Sequence, residues 1–220
     1  MRRLISATMI VPCAIACAQN NASTATSPVE REVRGQTIIS DSLPAADLTF
    51  ADDFHYVGSQ VVNLYGAADA EQHVFVAGPP GKVERIYWIQ FEHYLPSNNH
   101  TYSYSPDRTV DVGGLRFIYD VQSIRNYSAV ELDPASDAAA VVGLLAKHNL
   151  PRPTRVARVR MFHLPSADRR SELMIIYGEA LPPDAKIPAA AEGTALDTAD
   201  PAAAKLVLQH ALQGMTIRRH

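Results

Sequence analysis

The feature that most constrains the fold is a long strand-like stretch at residues 83–94, with the sequence VERIYWIQFEHY. Aromatic and β-branched side chains of this kind favour a pleated, half-buried surface. Pro79, Pro80 and Gly81 come just before it and supply the tight reversal of a hairpin. The stretch therefore predicts a central strand, and the rest of the chain is interpreted around it.

Side chains along a strand alternate between the two faces of its sheet. The positions that we assign to the core face are Val83, Tyr87, Ile89 and Phe91. The opposite face carries Ile86, Trp88, Gln90, Glu92 and Tyr94. This second face is too aromatic for an ordinary solvated surface and too polar for a packed one. Two interpretations stay open: it lines a groove, or it is the outer side of the sheet covered by a helix.

Further segments have the alternation or the composition of strands. They are residues 33–39, 54–64, 72–77, 101–104, 115–121, 156–164 and 173–177. We expect residues 101–104 to pair with the far end of the central strand. The apolar run 173–177 predicts a strand covered on both faces. Residues 41–53, with Pro44 and several aspartates, predict a loop.

Two helix signals follow the same pattern. Asp133-Pro134 and Asp200-Pro201 each place a capping carboxylate before a proline, which fits the first turn because its missing N–H has no role there. The first helix is predicted to stop at Asn149. The second is predicted to stop at Gly214, with Met215 extending its apolar stripe, and to cover the strand at residues 173–177.

These elements predict a single α+β domain at residues 30–220. Its architecture is a curved antiparallel sheet of about seven or eight strands with two packed helices, the second C-terminal. A domain of this size buries about 70% of the surface of its unfolded chain, so neither metal nor disulfide is required for stability.

Charge and cysteine content exclude some classes of function. The formal charge is −3, which makes nucleic acid an improbable partner. A basic cluster at residues 152–160 is interpreted as a solvated edge. Both cysteines, Cys13 and Cys17, lie near the N-terminus, so the body of the chain offers no thiol for redox chemistry or nucleophilic attack.

The N-terminus has the pattern of an export signal. Arg2 and Arg3 precede a short apolar run, and small residues surround Cys17. Ala14-Ile15-Ala16-Cys17 resembles the lipobox of bacterial lipoproteins, which implies that Cys17 is the acylated first residue of the mature chain. Ordinary signal cleavage near Ala18 is the alternative. We predict a signal peptide at residues 1–16, a flexible tether at residues 17–29, and export to the bacterial cell envelope, on the periplasmic side of a membrane or secreted.

No common catalytic motif is present. The sequence lacks H-E-x-x-H, G-x-S-x-G and the glycine-rich phosphate loops, so we assign no catalytic residue, cofactor or metal. Two weaker combinations are candidates for metal or proton-transfer sites. One is Glu92 with His93 and His100, and the other is Asp52, Asp53 and His55.

The pattern as a whole predicts an exported, lipid-anchored protein of the binding or carrier type, more plausibly than an enzyme. The expected ligand is small and apolar or amphipathic, held on the Trp88 face of the sheet. The predicted ligand-binding residues are Trp88, Gln90, Glu92, Tyr94, Arg116 and Asp120. One alternative is an envelope scaffold or assembly protein that uses this face for a protein partner. A second is a hydrolase without a recognisable motif.

Overall fold

The structure is a computed structural model that describes residues 29–189 and 193–220. The predicted signal peptide at residues 1–16, and the tether up to residue 28, lie outside the described residues. The central strand is present as predicted, and it begins two residues later, at Arg85.

Twelve strands, three helices and one 3₁₀ turn make up the described residues. In chain order the strands are β1 (Glu32–Arg34), β2 (Thr37–Ser40), β3 (Ala46–Phe50), β4 (His55–Leu64), β5 (Ala68–Ala77), β6 (Arg85–Tyr94), β7 (Thr109–Val112), β8 (Leu115–Ile124), β9 (Val156–His163), β10 (Ser171–Ala180), β11 (Thr194–Ala195) and β12 (Met215–Arg219). The helices are α1 (Asp137–Lys147), the single turn α2 (Leu196–Ala199) and α3 (Pro201–Gln213), and the 3₁₀ turn is Tyr127–Ala129.

The strands form two antiparallel sheets. The larger has eight strands in the order β11-β8-β9-β10-β6-β5-β4, with β7 added beside β8. The smaller has four strands in the order β1-β2-β3-β12. The predicted α+β class is confirmed, with an eight-stranded antiparallel sheet, two long helices and the last helix C-terminal.

Three local predictions were wrong, because pairing partners distant in sequence decided the conformation. Residues 41–53, predicted as a loop, contain β3. Met215, predicted to extend the apolar stripe of the last helix, instead begins β12, which pairs with β3 along its whole length. Residues 101–104 form no strand, although Tyr102 N–H donates to the carbonyl oxygen of Arg169.

The helix ends follow local capping chemistry, with one correction. Asp200 caps α3 as predicted, because its carboxylate accepts from the N–H of Ala203 at 3.0 Å. At α1 the cap is Ser136, whose hydroxyl accepts from the N–H of Ala139 at 3.2 Å. Asp133 instead closes a turn before the helix by accepting from the N–H of Ala135.

The two long helices lie on opposite faces of the large sheet. α3 and the small sheet cover the face that carries Tyr87, Ile89 and Phe91. α1 covers the opposite face, which carries Trp88. The strand at residues 173–177 is covered on both faces, as predicted, with Leu173 and Ile175 toward α3 and Met174 and Ile176 toward α1. The C-terminal helix thus covers one face of this strand, and the helix over the Trp88 face is α1.

The turn of the β7–β8 hairpin in the large sheet packs closely against β12 of the small sheet. Gly113, in the β7–β8 hairpin, has a φ of +57°, and a Cβ placed there would overlap the backbone carbonyl of Ile217 in β12. Gly35, in the β1–β2 hairpin, has a similar φ of +60° but open space around it. The two positions therefore share the conformational constraint and differ in steric crowding.

We predict that Gly113→Ala destabilises the fold by at least ~3 kcal/mol, while Gly35→Ala costs about 1 kcal/mol from the left-handed backbone alone. Urea unfolding of both variants beside the wild type measures the difference. Equal losses of unfolding free energy at the two positions would show that the hairpin does not press on β12.

Candidate functional site

The Trp88 face of the large sheet has an apolar half and a polar half. Trp88 is 6% exposed and packs in one cluster with Val141 and Leu145 of α1. Two residues along β6 on the same face, Gln90 is fully buried, and Glu92 beyond it is half-buried. The aromatic side chain therefore belongs to the part under the helix, and the polar side chains continue toward the C-terminal end of β6.

A ladder of glutamines crosses three strands in the polar half. Gln60, Gln72 and Gln90 lie directly opposite one another in β4, β5 and β6. Gln60 Nε2 donates to Gln72 Oε1 at 2.8 Å, and Gln72 Nε2 donates to Gln90 Oε1 at 2.9 Å. The indole Nε1 of Trp88 also donates to Gln90 Oε1, at 3.2 Å. These amides provide hydrogen-bond partners for one another, and polar groups inside a core require such partners.

The ladder ends at a carboxylate that is held from both sides. Gln90 Nε2 donates to Glu92 Oε2 at 2.6 Å, and the hydroxyl of Tyr102 donates to Glu92 Oε1 at 2.6 Å. Tyr102 comes from the 95–108 connection, which lies across this end of the face. The connection, in which a strand was predicted at residues 101–104, therefore supplies hydrogen-bond donors to the polar half.

A second carboxylate lies beside the first. Glu172 of β10 is directly opposite Glu92 in the register and is 3% exposed. The hydroxyl of Tyr104 donates to it, and the Tyr104 ring stacks on Phe162 with centroids 4.4 Å apart. Burial raises the pKa of Glu172 to about 8, and the charge of Glu92 adds to that rise. Burial also raises the pKa of Glu92. Glu172 is thus a protonated acid at neutral pH, but its enclosure keeps it from contact with a substrate.

The six predicted ligand-binding residues separate into different environments. Only Trp88 lines the cavity beneath α1; Glu92 and Tyr94 line a separate cleft of about 360 Å³. Tyr94 stacks on Tyr102 with centroids 4.5 Å apart. Arg116 is exposed and pairs with Asp111 across the β7–β8 hairpin, and Asp120 pairs with Arg160 at 2.6 Å. Ligand binding by these residues stays a prediction.

The cavity beneath α1 is small and mostly apolar. Its volume is about 50 Å³, and Trp88, Ile176, Val141 and Leu145 are among its walls. Arg152, Arg158 and Tyr127 also line it, and the sequence interpretation did not place them in a site. The cavity therefore combines an aromatic floor with two cationic side chains.

The basic cluster at residues 152–160 is not a solvated edge. Arg152, Arg155, Arg158 and Arg160 are all half-buried. In β9 the arginines alternate with the buried Ala157 and Val159, so they share the Trp88 face. That alternation of arginine with small apolar residues was the sequence signal that could have found them.

An open cleft of about 860 Å³ adjoins the cavity. Val83, Arg152 and Pro153 line both spaces, so the cavity and the cleft meet at these residues. The cleft continues along the loop that follows β10, where Leu181 and Pro182 supply apolar surface. A ligand that occupied both the cavity and the cleft would contact Trp88 at one end and this loop at the other.

The two weaker metal or proton-transfer combinations are not assembled. Glu92 accepts from Gln90 and Tyr102, while the neighbouring His93 is exposed and points to the opposite face of β6. Asp53 pairs with Arg85. Within residues 29–189 and 193–220, no group of three or more His, Cys, Asp or Glu side chains is placed to hold a metal ion.

None of the described helices combines the length and apolar composition needed to cross a membrane. Comparison of the chain with known protein families, curated sequences and solved structures found no match.

The pKa of Glu172 predicts how stability varies with pH. The carboxyl of the unfolded chain ionises near 4.5 and that of the folded chain near 8, so stability falls as the pH rises between these values. We expect the wild type to lose on the order of 3 kcal/mol over this range and Glu172→Gln to lose much less. Urea unfolding across the range measures both slopes. Parallel curves for the two proteins would contradict the assignment.

Proposed function

We propose that this protein is an exported binding or carrier protein of the bacterial cell envelope, anchored by a lipid on Cys17 and facing the periplasm. It holds a small apolar or amphipathic ligand at the Trp88 face of its large sheet. The observation that supports the ligand-binding part is the apolar cavity at Trp88, which adjoins a cleft of about 860 Å³.

The size of the two spaces bears on where the ligand lies. Pockets for small molecules commonly measure ~300–1,000 Å³, and the cavity alone, at about 50 Å³, is well below that range. The adjoining cleft falls within it. The proposed ligand therefore places a small apolar part against Trp88 and most of its bulk in the cleft, with Val83 and Pro153 between the two.

The polar half of the face has a different role in this proposal. Its side chains already satisfy one another through the glutamine ladder and the two tyrosines. Opening them for a ligand would cost those hydrogen bonds. In this proposal Gln90 and Glu92 hold Trp88 in place through their hydrogen bonds, and the ligand binds in the apolar half.

The other two functions lack an observation of comparable weight. A scaffold would use a contiguous exposed apolar patch. The large apolar side chains that are exposed in the described chain are Val29, Leu43, Tyr56, Tyr65 and Leu206, each on a different segment. A hydrolase would use Glu172 as a buried acid, but its enclosure gives a substrate no access to it.

Trp88 is the single tryptophan of the chain, so its fluorescence reports directly on the cavity. We expect ω-bromoundecanol, an uncharged amphiphile with a heavy-atom quencher, to quench this fluorescence saturably. Gly178→Ala should weaken the binding about tenfold, because Gly178 lines the cavity and an added Cβ would meet Ile86 at 3.0 Å.

Gly143→Ala is the matched control, since Gly143 is exposed on α1 with open space around it. It should bind the alcohol as the wild type does. Quenching that rises linearly without saturation, or that both alanine variants reduce equally, would overturn the proposed ligand site.

The proposed anchor predicts a covalent change at the N-terminus. Full-length protein isolated from bacterial membranes should begin at Cys17 and carry acyl chains, as measured by mass spectrometry of the N-terminal peptide. Cys17→Ser should abolish the modification and release the protein from the membrane fraction. Cys13→Ser should leave both unchanged. An unmodified chain that begins after Ala18 would show ordinary signal cleavage instead.

A further inference from the structure

Three arginines around the cavity and the cleft have no acidic partner. Within the described residues, Arg152, Arg155 and Arg158 form no ion pair, whereas Arg160 beside them pairs with Asp120. Their hydrogen-bond acceptors are neutral oxygens. Arg152 donates to the carbonyl oxygens of Val130 and Ser128, and Arg158 donates to Gln122 Oε1 at 2.7 Å. Asp120 and Asp137 attract Arg158 electrostatically, but neither forms an ion pair with it.

Arg155 differs from the other two in function. It donates to the carbonyl oxygens of four residues in the loop after β10, namely Pro182, Pro183, Ala185 and Ile187. This arrangement fixes the loop that forms one wall of the cleft. Arg155 thus shapes the site, while Arg152 and Arg158 are the guanidinium groups that line the cavity itself.

The cavity lining carries two positive charges and no negative one. Arg152 and Arg158 are its charged members, in a chain whose formal charge is −3. Burial lowers the pKa of Arg158, and repulsion from Arg160 lowers it further. Half-buried cations that no carboxylate contacts directly are unfavourable, because low-polarity surroundings increase both the desolvation cost and the repulsion between them. An anion bound between them would relieve this cost.

Tyr127 adds a neutral hydrogen-bond donor to the same wall. The Cζ atom of Arg152 lies 5.5 Å from the centre of the Tyr127 ring. Burial raises the pKa of the Tyr127 hydroxyl, so the group stays protonated. Trp88, Ile176 and Leu145 in the same lining offer apolar surface. The lining is therefore amphipathic.

We propose that the ligand is a monomeric organic acid with an apolar body, bound with its carboxylate between Arg152 and Arg158. Its nearest carbon atoms contact Trp88, and the rest of its body lies in the cleft past Val83 and Pro153. This inference rests on the proposed binding function and adds the charge of the ligand to it. Guanidinium groups suit this role because their planar donors match a carboxylate.

A pair of probes that differ only in the head group tests the charge. ω-Bromoundecanoic acid and ω-bromoundecanol have the same chain and quencher, and both report through the fluorescence of Trp88 in the full-length protein at neutral pH. We expect the acid to bind the wild type at least about tenfold more tightly than the alcohol.

Single-residue variants test which side chains bind the carboxylate. Arg152→Gln and Arg158→Gln should each weaken binding of the acid about tenfold more than binding of the alcohol. Lys205→Gln removes the same charge from an exposed position on α3 and should change neither affinity. Arg158→Lys should recover part of the lost affinity for the acid, because it restores the charge without the planar fork.

The two probes distinguish a failure of this inference from a failure of the proposed function. If neither probe quenches Trp88 saturably, the proposed ligand site fails and the inference fails with it. If both probes bind equally, or if the glutamine variants weaken the alcohol as much as the acid, the binding site stands and the arginines are structural. Quenching by vesicles of a brominated anionic phospholipid, without quenching by the free acid, would assign the arginines to a membrane surface and overturn the inference.

Discussion

The structure depends on the burial of β6 on both of its faces. Tyr87 and Ile89 face α3 and the small sheet, while Trp88 faces α1. The hydroxyl of Tyr87 donates to the carbonyl oxygen of Ala211 at 2.5 Å and so binds α3 to the strand. A strand enclosed in this way has no free surface to offer a ligand. Any site on it must lie in a gap left by its covering elements, and the cavity at Trp88 is such a gap.

Among the described residues, every buried side-chain nitrogen or oxygen except Arg155 Nε belongs to a hydrogen-bonded arrangement. On the Trp88 face this is the glutamine ladder that ends at Glu92. On the opposite face, buried Glu71 accepts from His73 at 2.7 Å and from the backbone N–H groups of Glu30 and Arg31 at 2.9 Å. These bonds lower the pKa of Glu71 to about 2 despite its burial, and they fix the start of the described chain to the sheet.

The arginines of residues 152–158 differ because their acceptors are neutral oxygens, and they lie at the concave part of the surface. Arg152 lines both the cavity and the cleft, and Arg158 lines the cavity. Elsewhere on the same strand Arg160 has its carboxylate partner, Asp120. Charged groups in a cleft that form no ion pair with the protein are candidates for ligand recognition, and Arg152 and Arg158 are such groups.

Local sequence determined much of the fold and little of the site. Alternation along residues 83–94 identified the central strand and its two faces, and Asp200 with Pro201 identified the start of α3, because side-chain direction and capping act over a few residues. It was the tertiary structure that paired residues 215–219 with β3, placed α1 over Trp88 and carried Arg152 and Arg158 beneath that helix. These outcomes depend on contacts between segments far apart in the chain, which periodicity and composition do not encode.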